Sequence, residues 1–415
     1  MCRQSKLDAI QLSMRRYLII AALVIVALGA GVVAYFYFFA NAPGVTVAPG
    51  ASSNLPTAEQ GAVPTTTGQT STPSASSAPS PIVVSARLVK ISAGPAVPGE
   101  AVVDIPAQNA SSSPDTTVTY IERQSGNVFS YQVGTGVLTR TSNKTIPGIE
   151  EASWLPNASL AFVRYLSGTD FSTINTYALS ANDGNGFFLP QNLADLAVSS
   201  TSVLALASGV NGSSASLMRT DGTHSSQIFT TPLSSLRVSF AGKNQYLAFT
   251  KPSATLPGDA FIVDSAGHFS RIAGPLNGLV ALASPSGKWV VVSYTLPQGM
   301  QMELVNVTTG ATLQLPVATI ADKCVWAADN SAVYCGIPMN PPANYAYPDD
   351  WYQGAVHFSD RIWKIDVAGR YAQLVLDFQK ETNSSLDAEA LAIDPSGTVL
   401  AFINKNDGSV WSYKL

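Results

Sequence analysis

The sequence has few of the side chains that most active sites need. Only three histidines and three cysteines occur among 415 residues, so a metal cluster or a Cys/His nucleophile site would need nearly all of them. Charged residues make up 12% of the chain, about half of the usual share. The net charge of -4 leaves no basic face that could neutralise many phosphates, which argues against a nucleic-acid partner.

Motifs of the common enzyme classes are also missing. The sequence contains no G-x-S-x-G elbow, no H-E-x-x-H pair, no P-loop and no G-x-G-x-x-G after a strand. We interpret His224, His268 and His357 as exposed polar residues in turns and in an insertion. We therefore predict a protein that is not an enzyme and that needs neither a metal nor a cofactor.

One apolar run is long enough to cross a membrane. Residues 17–39 carry no charge, and a helix of this length spans roughly 35 Å at about 1.5 Å per residue. Residues 1–16 carry four basic side chains against one acidic side chain, and the next basic residue is Arg87. The positive-inside bias then predicts a cytoplasmic N-terminus and an extracytoplasmic remainder. The alternative is a signal peptide cleaved after Ala42, but the run exceeds a signal-peptide core and Pro43 would follow the cut.

A segment of different composition follows the apolar run. Residues 40–85 consist mainly of Pro, Ser, Thr, Ala and Gly. Such a segment cannot bury enough apolar surface to offset the entropy lost on ordering it. We predict a flexible stalk that holds a folded domain, residues 86–415, away from the membrane.

The folded domain contains a repeat of two short strands joined by a turn. The turns align on Pro156, Gly242, Pro285, Ala328 and Pro395, at intervals of 86, 43, 43 and 67 residues. A weaker copy around Ser199 divides the first interval in two, and the last interval is 43 plus an insertion of about 24 residues. A four-stranded unit of about 43 residues is typical of a propeller blade, with a solenoid as the alternative.

The two ends of the domain favour a closed ring. The last repeat ends with a third strand, at residues 408–415, whereas residues 86–92 (ARLVKIS) resemble a fourth strand and precede an inner strand, AVVDI. A fourth strand supplied by the N-terminal end would remove both exposed edges. We predict an all-β, seven-bladed β-propeller, within a range of six to eight blades, closed by an N-terminal strand.

The hairpins SPSGKWVVVSY and DPSGTVLAFIN resemble those of TolB-like and WD-repeat-like bacterial propellers. The resemblance covers residues 86–415 and implies the fold. TolB-type proteins also carry an N-terminal α/β domain and act within a cell-envelope complex. A helix and a stalk replace that domain here, so the arrangement looks closer to single-pass envelope proteins of bacteria with the same propeller layout.

Cys324 and Cys335 flank the turn of one repeat at equal distances. They should therefore face each other across two antiparallel strands, close enough for a disulfide in an extracytoplasmic domain. The alternative is a pair of buried free thiols. Cys2 would lie on the cytoplasmic side, too far away to pair with either.

Residues 338–360 interrupt the repeat between the second and third strands of one blade. This insertion is rich in aromatic side chains: Tyr345, Tyr347, Trp351, Tyr352 and Phe358. Such rings could stack on sugars or anchor a protein partner, or they could fold back over the blade or the mouth of the ring. We interpret Asp349, Asp350 and Asp360 as a solvated acidic turn, because the sequence has no spaced calcium loop.

These features predict a single-pass protein of the cell envelope, anchored through residues 17–39. In the leading hypothesis its propeller is a scaffold or receptor for another protein and uses the aromatic insertion. A second hypothesis is binding of a cell-wall or surface glycan through the same insertion. A third, ranked below both, is a propeller-type enzyme, which would need paired carboxylates at the central channel. Propellers have many unrelated functions, so the fold alone does not choose among them.

Overall fold

The computed structural model describes residues 80–106 and 114–415. The predicted cytoplasmic segment 1–16, the predicted membrane helix 17–39 and most of the predicted stalk lie outside these residues. Within the two described ranges, no helix is long and apolar enough to span a membrane. The two α-helices there are short: α1 covers Asp349–Tyr352 and α2 covers Phe378–Thr382.

The described chain forms seven antiparallel sheets, which confirms the prediction of a seven-bladed, all-β propeller. Two strands precede the first blade: β1 (Ile82–Val83) and β2 (Leu88–Lys90). Blade 1 consists of β3 (Ala101–Ile105), β4 (Asp115–Ile121), β5 (Val128–Gln132) and β6 (Val137–Arg140). Blade 2 consists of β7 (Ile149–Trp154), β8 (Leu160–Ser167), β9 (Thr173–Ser180) and β10 (Phe187–Phe188). Blade 3 consists of β11 (Leu193–Val198), β12 (Ser202–Gly209), β13 (Gly212–Arg219) and β14 (Ser226–Thr231).

The remaining blades continue in the same order of strands. Blade 4 consists of β15 (Leu236–Phe240), β16 (Gln245–Thr250), β17 (Pro257–Asp264) and β18 (Phe269–Asn277). Blade 5 consists of β19 (Val280–Ala283), β20 (Trp289–Leu296), β21 (Gly299–Asn306) and β22 (Thr312–Gln314). Blade 6 consists of β23 (Cys324–Trp326), β24 (Ala332–Pro338), β25 (Asp360–Asp366) and β26 (Tyr371–Asp377). Blade 7 contains β27 (Ala388–Ile393), β28 (Val399–Asn404) and β29 (Ser409–Lys414). First strands of neighbouring blades, such as β11 and β15 or β23 and β27, contact one another, which places them around the centre of the ring.

The N-terminal strands complete blade 7, as predicted. Strand β2 pairs with β29, with Leu88 opposite Tyr413 and Lys90 opposite Trp411. Strand β1 then pairs with β2 as a fifth strand, and it lies within the last residues of the predicted stalk. The first and last parts of the folded domain therefore share one sheet.

The second strands of most blades contain apolar runs because neighbouring blades cover both of their faces. All six residues of β28 are buried, and β20 contributes the buried residues Val290, Val291 and Val292. Such runs are typical of strands buried on both sides. The turns after the first strands also approach one another closely: a Cβ atom on Gly242, at φ +75°, would collide with the Ser286 carbonyl of the next blade.

The connections divide between two faces of the ring. We call the face that carries the second-to-third-strand connections and the blade-to-blade connections the insertion face. The first-to-second and third-to-fourth turns form the opposite face. Residues 339–359 connect β24 to β25, the second and third strands of blade 6, so the insertion projects from the insertion face.

Candidate functional site

The insertion of blade 6 folds across the insertion face towards other blades. Asp349 Oδ2 accepts a hydrogen bond from the Ala254 backbone N–H of blade 4 at 3.1 Å. The Tyr347 carbonyl oxygen accepts a hydrogen bond from Thr295 Oγ1 of blade 5, also at 3.1 Å. The insertion is therefore held by two blades besides its own.

The five aromatic residues predicted as a binding site divide into two groups. The side chains of Tyr347, Trp351 and Phe358 are buried, whereas Tyr345 is 41% exposed and Tyr352 is 37% exposed. The alternative in which the rings fold back over the propeller describes the three buried rings. Only Tyr345 and Tyr352 present surface to a ligand.

A buried cluster of three charged residues lies beneath the insertion, and we call it the Lys323 cluster. Lys323 ends a 3-10 turn (Ala321–Lys323), Asp360 begins β25, and Asp387 immediately precedes β27. All three side chains are 0% exposed. Lys323 Nζ lies 2.8 Å from Asp360 Oδ2 and is hydrogen-bonded to Asp387 Oδ1. The cluster links blade 6 to blade 7.

Two buried residues of the insertion form the wall of the Lys323 cluster. Trp351 Nε1 and the Phe358 backbone N–H both donate to Asp387 Oδ2, at 3.0 and 2.9 Å. The centroids of the Trp351 and Phe358 rings lie 4.8 and 5.1 Å from Lys323 Nζ, within cation–π range. The insertion therefore excludes water from the cluster.

Burial perturbs the titration of this cluster. Burial raises the pKa of Asp360 to about 6, although Lys323 acts in the opposite direction. Burial opposes the charge on Lys323, but Asp360 and Asp387 together hold its pKa above the usual value. The interpretation of Asp360 as part of a solvated turn is wrong, because its side chain faces Lys323 and not solvent.

A second group of charges surrounds the inner strands of blades 3 and 4. Arg237 Nη1, on β15, lies 2.6 Å from Asp322 Oδ2, and the Tyr352 hydroxyl donates to the same oxygen at 2.7 Å. Asp195, on β11, accepts a hydrogen bond from the Val238 backbone N–H at 2.7 Å. Burial raises the pKa of Asp195 to about 6, and Arg237 opposes this shift. The exposed Tyr352 of the insertion therefore belongs to this group.

Two glutamates lie near each other at the inner strands of blades 1 and 7. Glu100 is buried, and neither of its carboxyl oxygens has a hydrogen-bond partner among the described residues. Burial, followed by the charge of Glu389, raises the pKa of Glu100 well above its usual value. Glu389 Oε2 is held by Lys405 Nζ at 3.0 Å. Glu100 and Glu389 are the type of carboxyl pair that the enzyme hypothesis requires, but Lys405 already neutralises Glu389.

Exposed apolar side chains are concentrated at the tips of the insertion face. The second-to-third-strand connections of blades 2, 3, 4 and 6 carry such side chains, and we call four of them, one from each connection, the tip residues: Phe171, Val210, Leu256 and Tyr345. Among the described turns of the opposite face, no large apolar side chain is exposed. Val137, Phe188 and Tyr371 are exposed, but they lie in outer strands at its edge.

An aromatic groove lies between blades 1 and 2. A cavity of about 300 Å³ is lined by Lys144, Thr145, Ile146, Tyr165, Tyr177 and Phe188. The rings of Tyr177 and Phe188 have centroids 4.9 Å apart, and Phe188 is 62% exposed. The groove therefore offers aromatic surface outside the insertion.

The cysteines of blade 6 face each other. Cys324 on β23 is the direct register partner of Cys335 on β24, and a disulfide joins them. Both side chains are buried. Lys323 of the buried cluster immediately precedes this cross-link.

The histidines are distributed among separate sites. His224 and His268 lie exposed in third-to-fourth-strand turns, and His268 Nδ1 is 3.0 Å from Asp264 Oδ2. His357 Nδ1 is 3.8 Å from Asp387 Oδ2, at the outer side of the Lys323 cluster. Within residues 80–106 and 114–415, no group of His, Cys, Asp or Glu side chains could hold a metal ion.

Sequence reasoning missed Lys323, Asp387 and Arg237. Each is a charged residue beside or within an inner strand, in a chain that contains few charges. A charged residue at a position that should be buried could have indicated such a site, because charged side chains are almost never fully buried unless they are paired. Arg237 pairs with Asp322 two blades away, and Asp387 pairs with Lys323 of the preceding blade, so these pairings could not be read from sequence spacing.

Comparison with known proteins identifies relatives of the fold but no family. No protein-family model and no curated protein matches the chain. Hydrazine synthase of Kuenenia stuttgartiensis is similar, with a TM-score of 0.47, 13% identity, and coverage of 72% of this chain and 92% of that chain. An oligogalacturonate lyase in complex with manganese has a TM-score of 0.47 and 9% identity, with coverage of 77% of this chain and 98% of that chain. These similarities concern the fold alone, and the assignment to TolB-like propellers stays a prediction.

Proposed function

We propose that this chain is a single-pass membrane protein of the cell envelope whose propeller binds another protein through its insertion face. The observation that carries the proposal is the position of the tip residues. Phe171, Val210 and Leu256 project from three consecutive blades, and Tyr345 projects from the insertion on the same face. The described turns of the opposite face have no comparable side chains.

Protein partners are favoured by the chemistry of this face. Exposed side chains on loops that a rigid scaffold positions are often used for binding, and a few such residues usually supply most of the binding energy. The rigid blades would hold the tip residues in place, so little conformational entropy would be lost on binding. Asp322 and Arg237, towards the centre of the ring, would add polar contacts.

The proposed location combines the sequence predictions with one structural feature. Residues 1–16 would be cytoplasmic, residues 17–39 would cross the membrane, and residues 40–85 would form the stalk. The disulfide between Cys324 and Cys335 is compatible with an oxidising compartment outside the cytoplasm. The propeller would thus be presented to partners in the envelope.

The test compares three forms of the tagged full-length chain in cells. One is the wild type, one replaces the tip residues Phe171, Val210 and Leu256 by serine, and the control replaces the exposed rim residues Val137 and Tyr371 by serine. After cross-linking in situ, co-purified proteins are quantified by mass spectrometry. We expect a defined partner whose recovery falls about tenfold, the factor for ~1.4 kcal/mol, with the tip variant alone. Equal recovery of every protein by all three forms would refute the proposal.

The second candidate function is glycan binding, which the aromatic groove favours. Tyr165, Tyr177 and Phe188 provide ring surface for stacking, and Lys144 and Thr145 provide polar groups at the same cavity. This site differs from the one predicted from sequence, because Trp351 and Phe358 of the insertion are buried. Retention of polysaccharide by the wild-type chain and its loss in Phe188→Ser would favour this candidate. Retention by neither form would eliminate it.

A further inference from the structure

The Lys323 cluster brings a primary amine against two carboxyl groups in the absence of solvent. Lys323 Nζ contacts Asp387 Oδ1 and lies 2.8 Å from Asp360 Oδ2, and all three side chains are 0% exposed. Holding two reacting groups together in the correct orientation can correspond to an effective concentration of about 10⁵ M or more. The arrangement therefore favours a reaction between the amine and a carboxyl group.

Asp387 is the carboxyl group that is arranged to be attacked. Its Oδ2 accepts hydrogen bonds from the Phe358 N–H at 2.9 Å and from Trp351 Nε1 at 3.0 Å, an N–H that also lies 3.3 Å from Oδ1, and Oδ1 contacts the amine. Two N–H donors on one oxygen stabilise the negative charge that develops there when a nucleophile adds to the carbon. These donors therefore act as an oxyanion hole for attack on Asp387 Cγ.

Asp360 is placed to transfer protons. Its Oδ2 lies 2.8 Å from Lys323 Nζ, and its Oδ1 is buried without a hydrogen-bond partner among the described residues. Burial raises its pKa to about 6, so this carboxyl group takes up and releases a proton near neutral pH. The remaining lone pairs can therefore hold a proton in transit between the amine and Asp387.

We propose that Lys323 and Asp387 condense to form an intramolecular isopeptide bond, with Asp360 as the proton carrier. Asp360 first removes one proton from the Lys323 ammonium and passes it to Asp387 Oδ1. The Nζ lone pair then forms a bond to Asp387 Cγ, and Oδ2 carries the negative charge. Asp360 carries a second proton from Nζ to Oδ1, the Cγ–Oδ1 bond breaks, and water leaves. The products are one amide and one water molecule, and no oxidant or reductant is needed.

The surroundings favour the product. The reaction replaces a buried ammonium and a buried carboxylate by a neutral amide, which removes the cost of keeping both charges away from water. Trp351 and Phe358 close the site and oppose the return of water. The bond would connect the entrance of blade 6 to the entrance of blade 7. The insertion would then lie within the covalent loop that this bond closes between Lys323 and Asp387.

Mass spectrometry of the denatured full-length chain tests this proposal. We expect a mass lower than that of the disulfide-bonded sequence by one water molecule. After reduction and trypsin digestion, cleavage at Lys323 should be absent, and the peptide 289–361 should be joined to the peptide 381–405. A wild-type chain that unfolds cooperatively but has the full sequence mass would overturn the proposal. Loss of water within peptide 289–361, with peptide 381–405 free, would overturn the assignment to Asp387.

Two variants separate the proposed roles. Asp387→Ala removes the attacked carbon, and Asp360→Asn removes the proton carrier with little change in shape. Both should have the full mass calculated for their sequences, and Asp360→Asn should still unfold cooperatively. Loss of water that persists in Asp387→Ala, or a complete cross-link in Asp360→Asn, would contradict the mechanism. If Asp387→Ala does not fold, the linked peptides of the wild type still decide the question.

Discussion

Tyr352 of the insertion donates its hydroxyl hydrogen to Asp322 Oδ2 at 2.7 Å, and this is the oxygen that also pairs with Arg237. The tip of a surface loop in blade 6 is thus tied to an inner strand of blade 4. The insertion therefore covers one sector of the ring. It is held there by Asp322 and Arg237, which lie towards the centre of the ring.

Replacing Tyr352 by phenylalanine tests this contact. The ring stays in place, but Asp322 loses one hydrogen bond, so the free energy of unfolding should fall by about 1–2 kcal/mol. Tyr345→Phe is the matched control, because the Tyr345 hydroxyl makes no hydrogen bond within the described residues. Denaturant unfolding followed by fluorescence measures both. Equal effects of the two substitutions would show that the Tyr352 hydroxyl does not hold the insertion.

The blades could be predicted from sequence because each repeat carries its own local signal. Turn residues at a spacing of 43, such as Pro285 and Ala328, each mark a strand pair that forms within one blade. The closure by β2 also follows from sequence, since an unpaired third strand needs a fourth. The sequence left open whether the rings of the insertion fold back, and the partners of Trp351 could not be predicted from it, because Lys323 and Asp387 lie outside the insertion and Asp387 belongs to the next blade. Side-chain packing between blades has no such periodic signal.

Closure of the ring by β2 makes Leu88 a sensitive position. Its side chain is fully buried opposite Tyr413, whereas Ile82 on the neighbouring β1 is exposed. Leu88→Ala should lower the free energy of unfolding by about 2–5 kcal/mol, because it leaves a cavity between the two ends of the domain. Ile82→Ala should change it by less than about 0.5 kcal/mol. Similar effects of both substitutions would argue against closure through β2.

The disulfide of blade 6 predicts a specific number of reactive thiols. The sequence has three cysteines, and Cys324 is joined to Cys335 in the structure. The denatured chain should therefore react with maleimide at Cys2 alone before reduction and at all three cysteines after reduction. Peptide mapping identifies the labelled positions. Labelling of Cys324 without reduction, in protein purified from the membrane, would show that the bond does not form in the cell.

Asp195 should give the propeller a pH-dependent stability. Its folded pKa of about 6 exceeds the ordinary value of 3.8, because burial outweighs the attraction of Arg237. The folded state therefore binds more protons than the unfolded state between these two values, so this residue's contribution to stability falls as the pH rises. The contribution is fully present below 3.8 and is lost as the pH rises through about 6.

Asp195→Asn isolates this contribution, since asparagine can still accept the hydrogen bond from the Val238 N–H. Relative to the variant, the wild type should lose up to about 3 kcal/mol of unfolding free energy between about pH 4 and about pH 7. Asp259→Asn is the control, because Asp259 is paired with Arg271 at the surface. Denaturant unfolding at a series of pH values measures the difference. If the difference in unfolding free energy between wild type and Asp195→Asn stays constant with pH, Asp195 is charged in the folded protein throughout this range. Arg237 and the Val238 N–H would then together compensate the burial of the Asp195 carboxylate.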